Sequence, residues 1–336
     1  MCIAESKLGA GRPLSRPAFR ETERNRLILS SDELLATPPK QAPSLIGSGL
    51  LPLNGKMLLV AKTGLGKSVL ALDIILSLIL CEPLFQAFRK RHDTNGAPVP
   101  FFPVHQPCKV LYIDAEVGRA GLHQRWKTLC DHRAPGISLG HRATFALEHT
   151  DPLLLLGKDP KAYQNLRTVI GDSRPPEGES TLPYVVVLDP LGNFHEEDED
   201  SNAMRMVFQR LQALQNEFHF ACIIPHHESD KAVFGQMGAT VRRQGTQKSR
   251  GHSSITQVMD TVMTLDQEEP PQNDIADLRL DWAKVRHGKK PAPGYLLVDY
   301  ARMKVFWAGC AKGAGVKEKL ALKTTYFASL PVSDSE

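Results

Sequence analysis

Apolar positions along the chain gather into short runs with polar stretches between them, and the period within each run distinguishes the element it predicts. "KMLLVA" (56–61), "KVLYIDA" (109–115), "YVVVLDP" (184–190), "FACIIPH" (220–226) and "VMTLD" (262–266) are nearly continuous apolar segments. That is the pattern of strands covered on both faces, as in a parallel sheet. The run from Val69 to Cys81 is longer, carries Asp73 inside it and opens on Lys67. It is too short and too charged for a membrane span and reads as a buried helix. A second helical stretch covers Asn202 to Glu217. Strands that alternate with helices predict an α/β domain with a doubly wound, mostly parallel sheet.

Outside this pattern the composition changes. Residues 1–45 mix charges with Pro13, Pro17, Pro38, Pro39 and Pro43, and only Ser31 to Ala36, with Asp32 and Glu33 in its first turn, resembles a helix. This segment reads as an N-terminal arm, followed by a core domain over 46–308. Two stretches interrupt the core, 88–108 and 171–183, both rich in Pro and polar residues. They read as surface excursions without a catalytic role. From 309 to 336 the chain turns to Gly, Lys and Ala and reads as a loosely ordered, flexible tail.

A chain of 336 residues, 42% of them hydrophobic, suffices for one large α/β domain with appendages. A formal charge of +4 is too weak to imply nucleic acid without a local cluster. Six cysteines without a C-x-x-C pair, and no signal-like run near Met1, argue against a disulfide framework or a zinc ribbon. The expected compartment is the cytoplasm, with no membrane association.

Chemistry concentrates at "AKTGLGKSV", residues Ala61, Lys62, Thr63, Gly64, Leu65, Gly66, Lys67, Ser68 and Val69. This is the phosphate loop G-x-x-x-x-G-K-[ST] with Ala61 at the first glycine, placed between a predicted strand and a predicted helix as the motif requires. Loop amides cradle phosphate at a helix N-terminus, the lysine reaches the β/γ oxygens, and the hydroxyl of Ser68 holds Mg²⁺. A methyl group at position 61 is tolerable if φ stays negative, whereas side chains at 64 or 66 would crowd the phosphate. Asp189 closes a buried strand, where a carboxylate supports the same Mg²⁺. The acidic run "HEEDED" (195–200) reads as a solvated loop or helix start. For the group that orients water, "VLYIDAE" offers Asp114 and Glu116.

Taken together, residues 45–308 resemble the RecA-like P-loop ATPase class, specifically RepA-type plasmid helicases and the related DnaB-type replicative helicases. In that resemblance the "DAE" position makes Glu116 the water-activating residue, in preference to Asp114, because only Glu116 lies beyond the strand end. "IIPHHE" resembles the strand between the phosphate-loop and Asp189 strands that ends in paired histidines. It implies His226 as the γ-phosphate sensor, with His227 beside it. A zinc site of His226, His227 and Glu228 is the weaker reading, since neighbours on a strand point to opposite faces. "RGHSSITQVMDTVMTL" (250–265) is similar to the family's Gly-Ser-Ser segment, and "AKVRHGKK" (283–290) to its K-x-R-x-G element. By that match Lys284 and Arg286 reach into the ATP site of a neighbouring subunit.

The segment 229–251 sets Lys231, Arg242, Arg243, Lys248 and Arg250 among glycines, with Phe234 its one aromatic. The resemblance implies a channel loop that tracks the backbone of single-stranded DNA; the bland alternative is a surface loop. An arm of 45 residues is too short for the primase-contacting domain of the DnaB type. The expected function is a Mg²⁺-dependent ATPase forming a ring, a hexamer by resemblance, that translocates on or unwinds DNA in replication of a plasmid, phage or mobile element. A replication initiator or primase is the further partner this implies. The rivals are a RecA- or KaiC-like regulatory or recombination ATPase that does not unwind, an ATP-dependent protein-interaction switch and, less favoured, a small-molecule kinase.

Overall fold

In the computed structural model the described residues are Ser31 and 43–87, 91–92, 98–99, 102–147, 156, 159–174, 182–195, 201–227, 233–234, 240–241, 253–267, 269–310 and 323–326. The chain divides into Met1–Ala42, of which only helical Ser31 is described, and Pro43–Glu336. In the second unit, one sheet contains β1 (Lys56–Ala61), β2 (Gln86–Ala87), β3 (Lys109–Asp114), β4 (Ala143–Leu147), β5 (Tyr184–Asp189), β6 (Phe220–His227), β7 (Thr261–Gln267), β8 (Ile275–Val285), β9 (Gly294–Asp299) and β10 (Lys304–Cys310). The helices are α1 (Lys67–Leu80), α2 (Gly118–Arg133), α3 (Pro160–Ser173), α4 (Ser201–Phe218) and the short α5 (Ser253–Val258).

The strands run in the order β2-β10-β9-β8-β7-β1-β6-β5-β3-β4. From β7 through β1, β6, β5 and β3 to β4 every pairing is parallel. All six residues of β1 are buried, and so are all six of β5, which is why these runs are continuous in apolar residues. Met57, Leu59 and Ala61 of β1 pack toward α1 and α2, while Leu58 and Val60 pack toward α3, α4 and α5. Period-two alternation along one central strand thus feeds two helical layers, as the doubly wound expectation required.

Three strands beyond β7 escaped the sequence reading. β8, β9 and β10 pair antiparallel and extend the sheet on the side away from β4. In "IADLRLDWAKV" the charged residues Asp277, Arg279 and Asp281 break the apolar run, yet Ile275, Leu278, Leu280 and Trp282 are buried. An antiparallel extension tolerates one wetter face, so its periodicity is weaker than that of β1 or β5.

The two interruptions are more structured than expected in places. α3 continues through Ser173 into the 171–183 stretch and starts on Asp159, whose side chain accepts from the Lys161 amide at 2.8 Å. In the 88–108 stretch Phe102 is buried, its ring 5.2 Å from that of Trp282 and 5.1 Å from that of Trp307. Burying that aromatic surface anchors the end of the excursion in the core. Within 309–336, Gly309 and Cys310 complete β10, and Lys323–Tyr326 form a helical turn with Tyr326 buried. Asp73, the odd charge of the apolar helix, is fully buried and faces Arg133 of α2. The guanidinium donates to the Asp73 carboxylate at 2.7 Å, to Ser77 Oγ at 3.0 Å and to Glu82 at 2.8 Å. A buried charge demands such pairing, and the network ties α2 to α1. No helix among the described residues is long and apolar enough to cross a membrane.

Candidate nucleotide site

β1 delivers the chain to the phosphate loop, and two glycines turn it into α1. Gly64 has φ of 83° and Gly66, the N-cap of α1, has φ of 74°. Both lie in the left-handed region where a Cβ is strained. Ala61 is the fully buried last residue of β1, paired in register with His227, and is not among the residues of positive φ. Its methyl group therefore sits in ordinary strand backbone, away from the two positions where glycine is needed.

Lys67 folds back over the loop. Its Nζ donates to the carbonyls of Ala61 at 3.3 Å and Lys62 at 3.1 Å and lies 3.2 Å from His227 Nδ1, which is also 3.0 Å from Thr63 Oγ1. Burial lowers the Lys67 pKa, with Glu116 and Asp189 acting in the opposite sense. Of the paired histidines it is His227, not the expected His226, that the structure sets beside the phosphate loop. His226 pairs with Val60, on the α3 and α4 face, and is 1% exposed, whereas His227 reaches the phosphate loop. Alternation along β6 allows only one of the two to face the site.

Asp189 closes β5 beside Asp114 at the end of β3. Its Oδ2 accepts from the Tyr112 hydroxyl, the Ser68 hydroxyl is a second partner, and its Oδ1 is buried without one. Burial raises its pKa to about 6, with Asp114 and Glu116 adding to the rise and the Tyr112 and Ser68 hydrogen bonds opposing it. The two acids of "VLYIDAE" separate cleanly. Asp114 is buried and its carboxylate accepts from the amides of Val117 at 3.3 Å and Gly118 at 2.7 Å, holding the start of α2. Glu116 is exposed to a cleft of about 640 Å³ that also takes in Thr63, Gly64, Lys67 and Ser68. Asn193 Nδ2 donates to the Ala115 carbonyl at 2.6 Å, so the turn that carries Glu116 is tied to the strand end bearing Asp189.

Residues 20–232 match the AAA domain family. The chain belongs to the AAA domain family. Among solved structures the AAA chain is similar to a DnaB-like replicative helicase solved with its interactions with primase, at a TM-score of 0.51 and 13% identity, covering 83% of this chain and 67% of that one. That likeness is one of fold: a RecA-like P-loop ATPase architecture. No curated protein sequence matches the chain. The protein is an ATPase of the AAA domain family.

Two parts of the AAA chain's cleft escaped the sequence reading. Arg125 of α2 lines it together with the phosphate loop, as do Tyr300 and Met303 from the turn between β9 and β10. No motif marks Arg125, and the Tyr300 ring reaches Gly66 only through the fold: a Cβ at 66 would lie 2.6 Å from that ring. The Tyr300 hydroxyl is buried without a hydrogen-bond partner. Lys284 and Arg286 are absent from the cleft lining. Lys284 Nζ donates to the carbonyls of Thr256 and Gln257 at 2.8 Å each, and Arg286 to Gln257 O at 2.6 Å and Asp260 Oδ1 at 3.2 Å, all at the end of α5. Lys231, Arg242, Arg243, Lys248 and Arg250 lie outside the described residues.

Proposed function

We propose that the chain is a Mg²⁺-dependent ATPase that drives a DNA translocase or helicase, assembling into a ring in which each subunit completes its neighbour's site. The carrying observation is a division of labour. Lys67, Ser68, Glu116, Arg125 and His227 share one cleft, and Ser68 of that cleft bonds to the Asp189 carboxylate, while Lys284 and Arg286 stand outside it with their cationic ends partly exposed.

In this reading the loop amides and Lys67 hold the β/γ oxygens of ATP, and Glu116 orients the attacking water from the mouth of the cleft. Ser68 and Asp189 are the residues that would hold Mg²⁺, and the buried, unpartnered Oδ1 of Asp189 beside the Ser68 hydroxyl fits a cation there. When bound, the ion neutralises charge on the phosphate oxygens. His227 exchanges its contacts with Lys67 and Thr63 for the γ-phosphate, so it reports occupancy along β6. Arg125 adds positive charge within the chain, and Arg286 adds it from the neighbour. The basic segment 229–251 grips single-stranded DNA, and replication of a plasmid, phage or other mobile element is the setting that the resemblance favours; a ring of six and a replication initiator or primase partner belong to the same reading.

The test is steady-state ATP hydrolysis with and without single-stranded DNA at two protein concentrations, beside Arg286→Ala. DNA stimulation that grows with concentration and collapses by about 10³-fold in the variant is the expected result. Hydrolysis indifferent to DNA, concentration and Arg286 would leave a nucleotide-dependent interaction switch instead.

A further inference from the structure

The stretch after β10 reaches the sheet again at Lys323–Tyr326, and the contact is specific. The Tyr326 ring lies 5.2 Å from that of Phe306 and packs with Ile275, Tyr295, Leu297 and Ala308. Its hydroxyl donates to Asp299 Oδ2, and Asp299 is wholly buried. The same carboxylate accepts from the Arg302 amide at 2.9 Å and the Arg302 guanidinium at 3.0 Å, so it organises the turn that follows β9. That turn begins with Tyr300, whose ring covers Gly66 of the phosphate loop, and ends with Met303, held at φ of 52°. Tyr300 and Met303 line the cleft.

We infer that Tyr326 is a positioning residue for nucleotide binding: through Asp299 it sets the Tyr300–Met303 turn that walls the phosphate-loop cleft. This rests on the reading of that cleft as the nucleotide site. A buried carboxylate needs all its donors, and each donor it loses leaves the turn freer to shift. The turn cannot shift without effect, because a non-glycine residue with positive φ is tolerated only where its surroundings hold it. The unpartnered Tyr300 hydroxyl is then the group whose placement a bound nucleotide would sense. The 323–326 turn acts on the site by way of one carboxylate, without touching the ligand.

Tyr326→Phe keeps the ring and removes the hydroxyl. Binding of a fluorescent methylanthraniloyl ATP to the full chain is the readout, alongside thermal unfolding. Tyr326→Phe is expected to raise Kd between about 2- and 30-fold. Lys323→Ala, which removes the 2.9 Å ion pair with Asp277 from the same turn but leaves Asp299 untouched, is expected to leave Kd at the unmodified value. An unchanged Kd in Tyr326→Phe overturns the inference and leaves Tyr326 as packing alone. Equal weakening in both variants, in step with lost thermal stability, overturns it too. If the unmodified chain binds no nucleotide, or Lys67→Ala binds it equally well, the reading of the cleft fails and the inference falls with it; normal binding that is lost in Lys67→Ala but unaltered in Tyr326→Phe removes only the inference.

Discussion

Asp114 and Glu116 stand two positions apart in one strand-to-helix turn and have separate tasks. The Asp114 carboxylate is occupied by the amides of Val117 and Gly118, whereas Glu116 is open to the cleft. Glu116→Gln is therefore expected to cut kcat by about 10²- to 10⁴-fold with nucleotide affinity and melting temperature retained. Asp114→Ala is expected to destabilise the fold by about 1–3 kcal/mol, since it strands two half-buried amides at the start of α2. Paired unfolding and single-turnover measurements separate the two, and a Glu116→Gln protein that hydrolyses ATP normally would remove Glu116 from the mechanism. That Glu116 is the freer of the two acids was legible because it lies past the strand end. The choice between His226 and His227 was not, because strand alternation tells that they differ but not which of them faces α1. Only the pairing of His227 with Ala61 and of His226 with Val60 settles that.

At the scale of elements, α1 and α2 are joined by a charge network that the chain disguises as an interruption. Asp73 breaks an apolar run, and its partner Arg133 lies 60 residues on. Burial pushes the Asp73 carboxyl up, and Arg133 opposes that. Arg133→Ala would leave this carboxyl and Ser77 buried without their cation, with an expected loss of about 3–5 kcal/mol, read as a lower denaturation midpoint at unchanged m-value. Because α2 also carries Arg125, the same variant should raise the KM for ATP; an unaltered KM would show that α2 holds its place without Arg133. The central parallel strands were legible to within about a residue because burial on both faces leaves an unbroken apolar run. β8 to β10 were not, because Asp277, Arg279 and Asp281 alternate with core residues, and Asp277 is itself buried with Lys323 as its partner.

For the whole molecule, the placement of Lys284 and Arg286 on the end of α5, outside the cleft of their own chain, makes activity a property of the assembly in the proposed reading. Lys67→Ala and Arg286→Ala should each be nearly inactive alone. Mixed in equal amounts after dissociation and reassembly, they should recover about a quarter of the unmodified hydrolysis rate, since one head-to-tail interface in four then pairs an intact phosphate loop with an intact Arg286. No recovery on mixing would place Arg286 in a role confined to its own chain. The sequence by itself determined the parallel strands β1, β3, β5, β6 and β7, the phosphate loop and the positions of Asp189 and Glu116 at or beyond strand ends, because each rests on a local period or spacing that a strand, a turn or a helix N-terminus enforces within a few residues. The tertiary structure alone decided that His227 faces Lys67, that Arg125, Tyr300 and Met303 wall the cleft, and that Tyr326 grips Asp299. Those relations join residues far apart in the chain, and only the pairing and packing of the whole sheet bring them within a few ångströms.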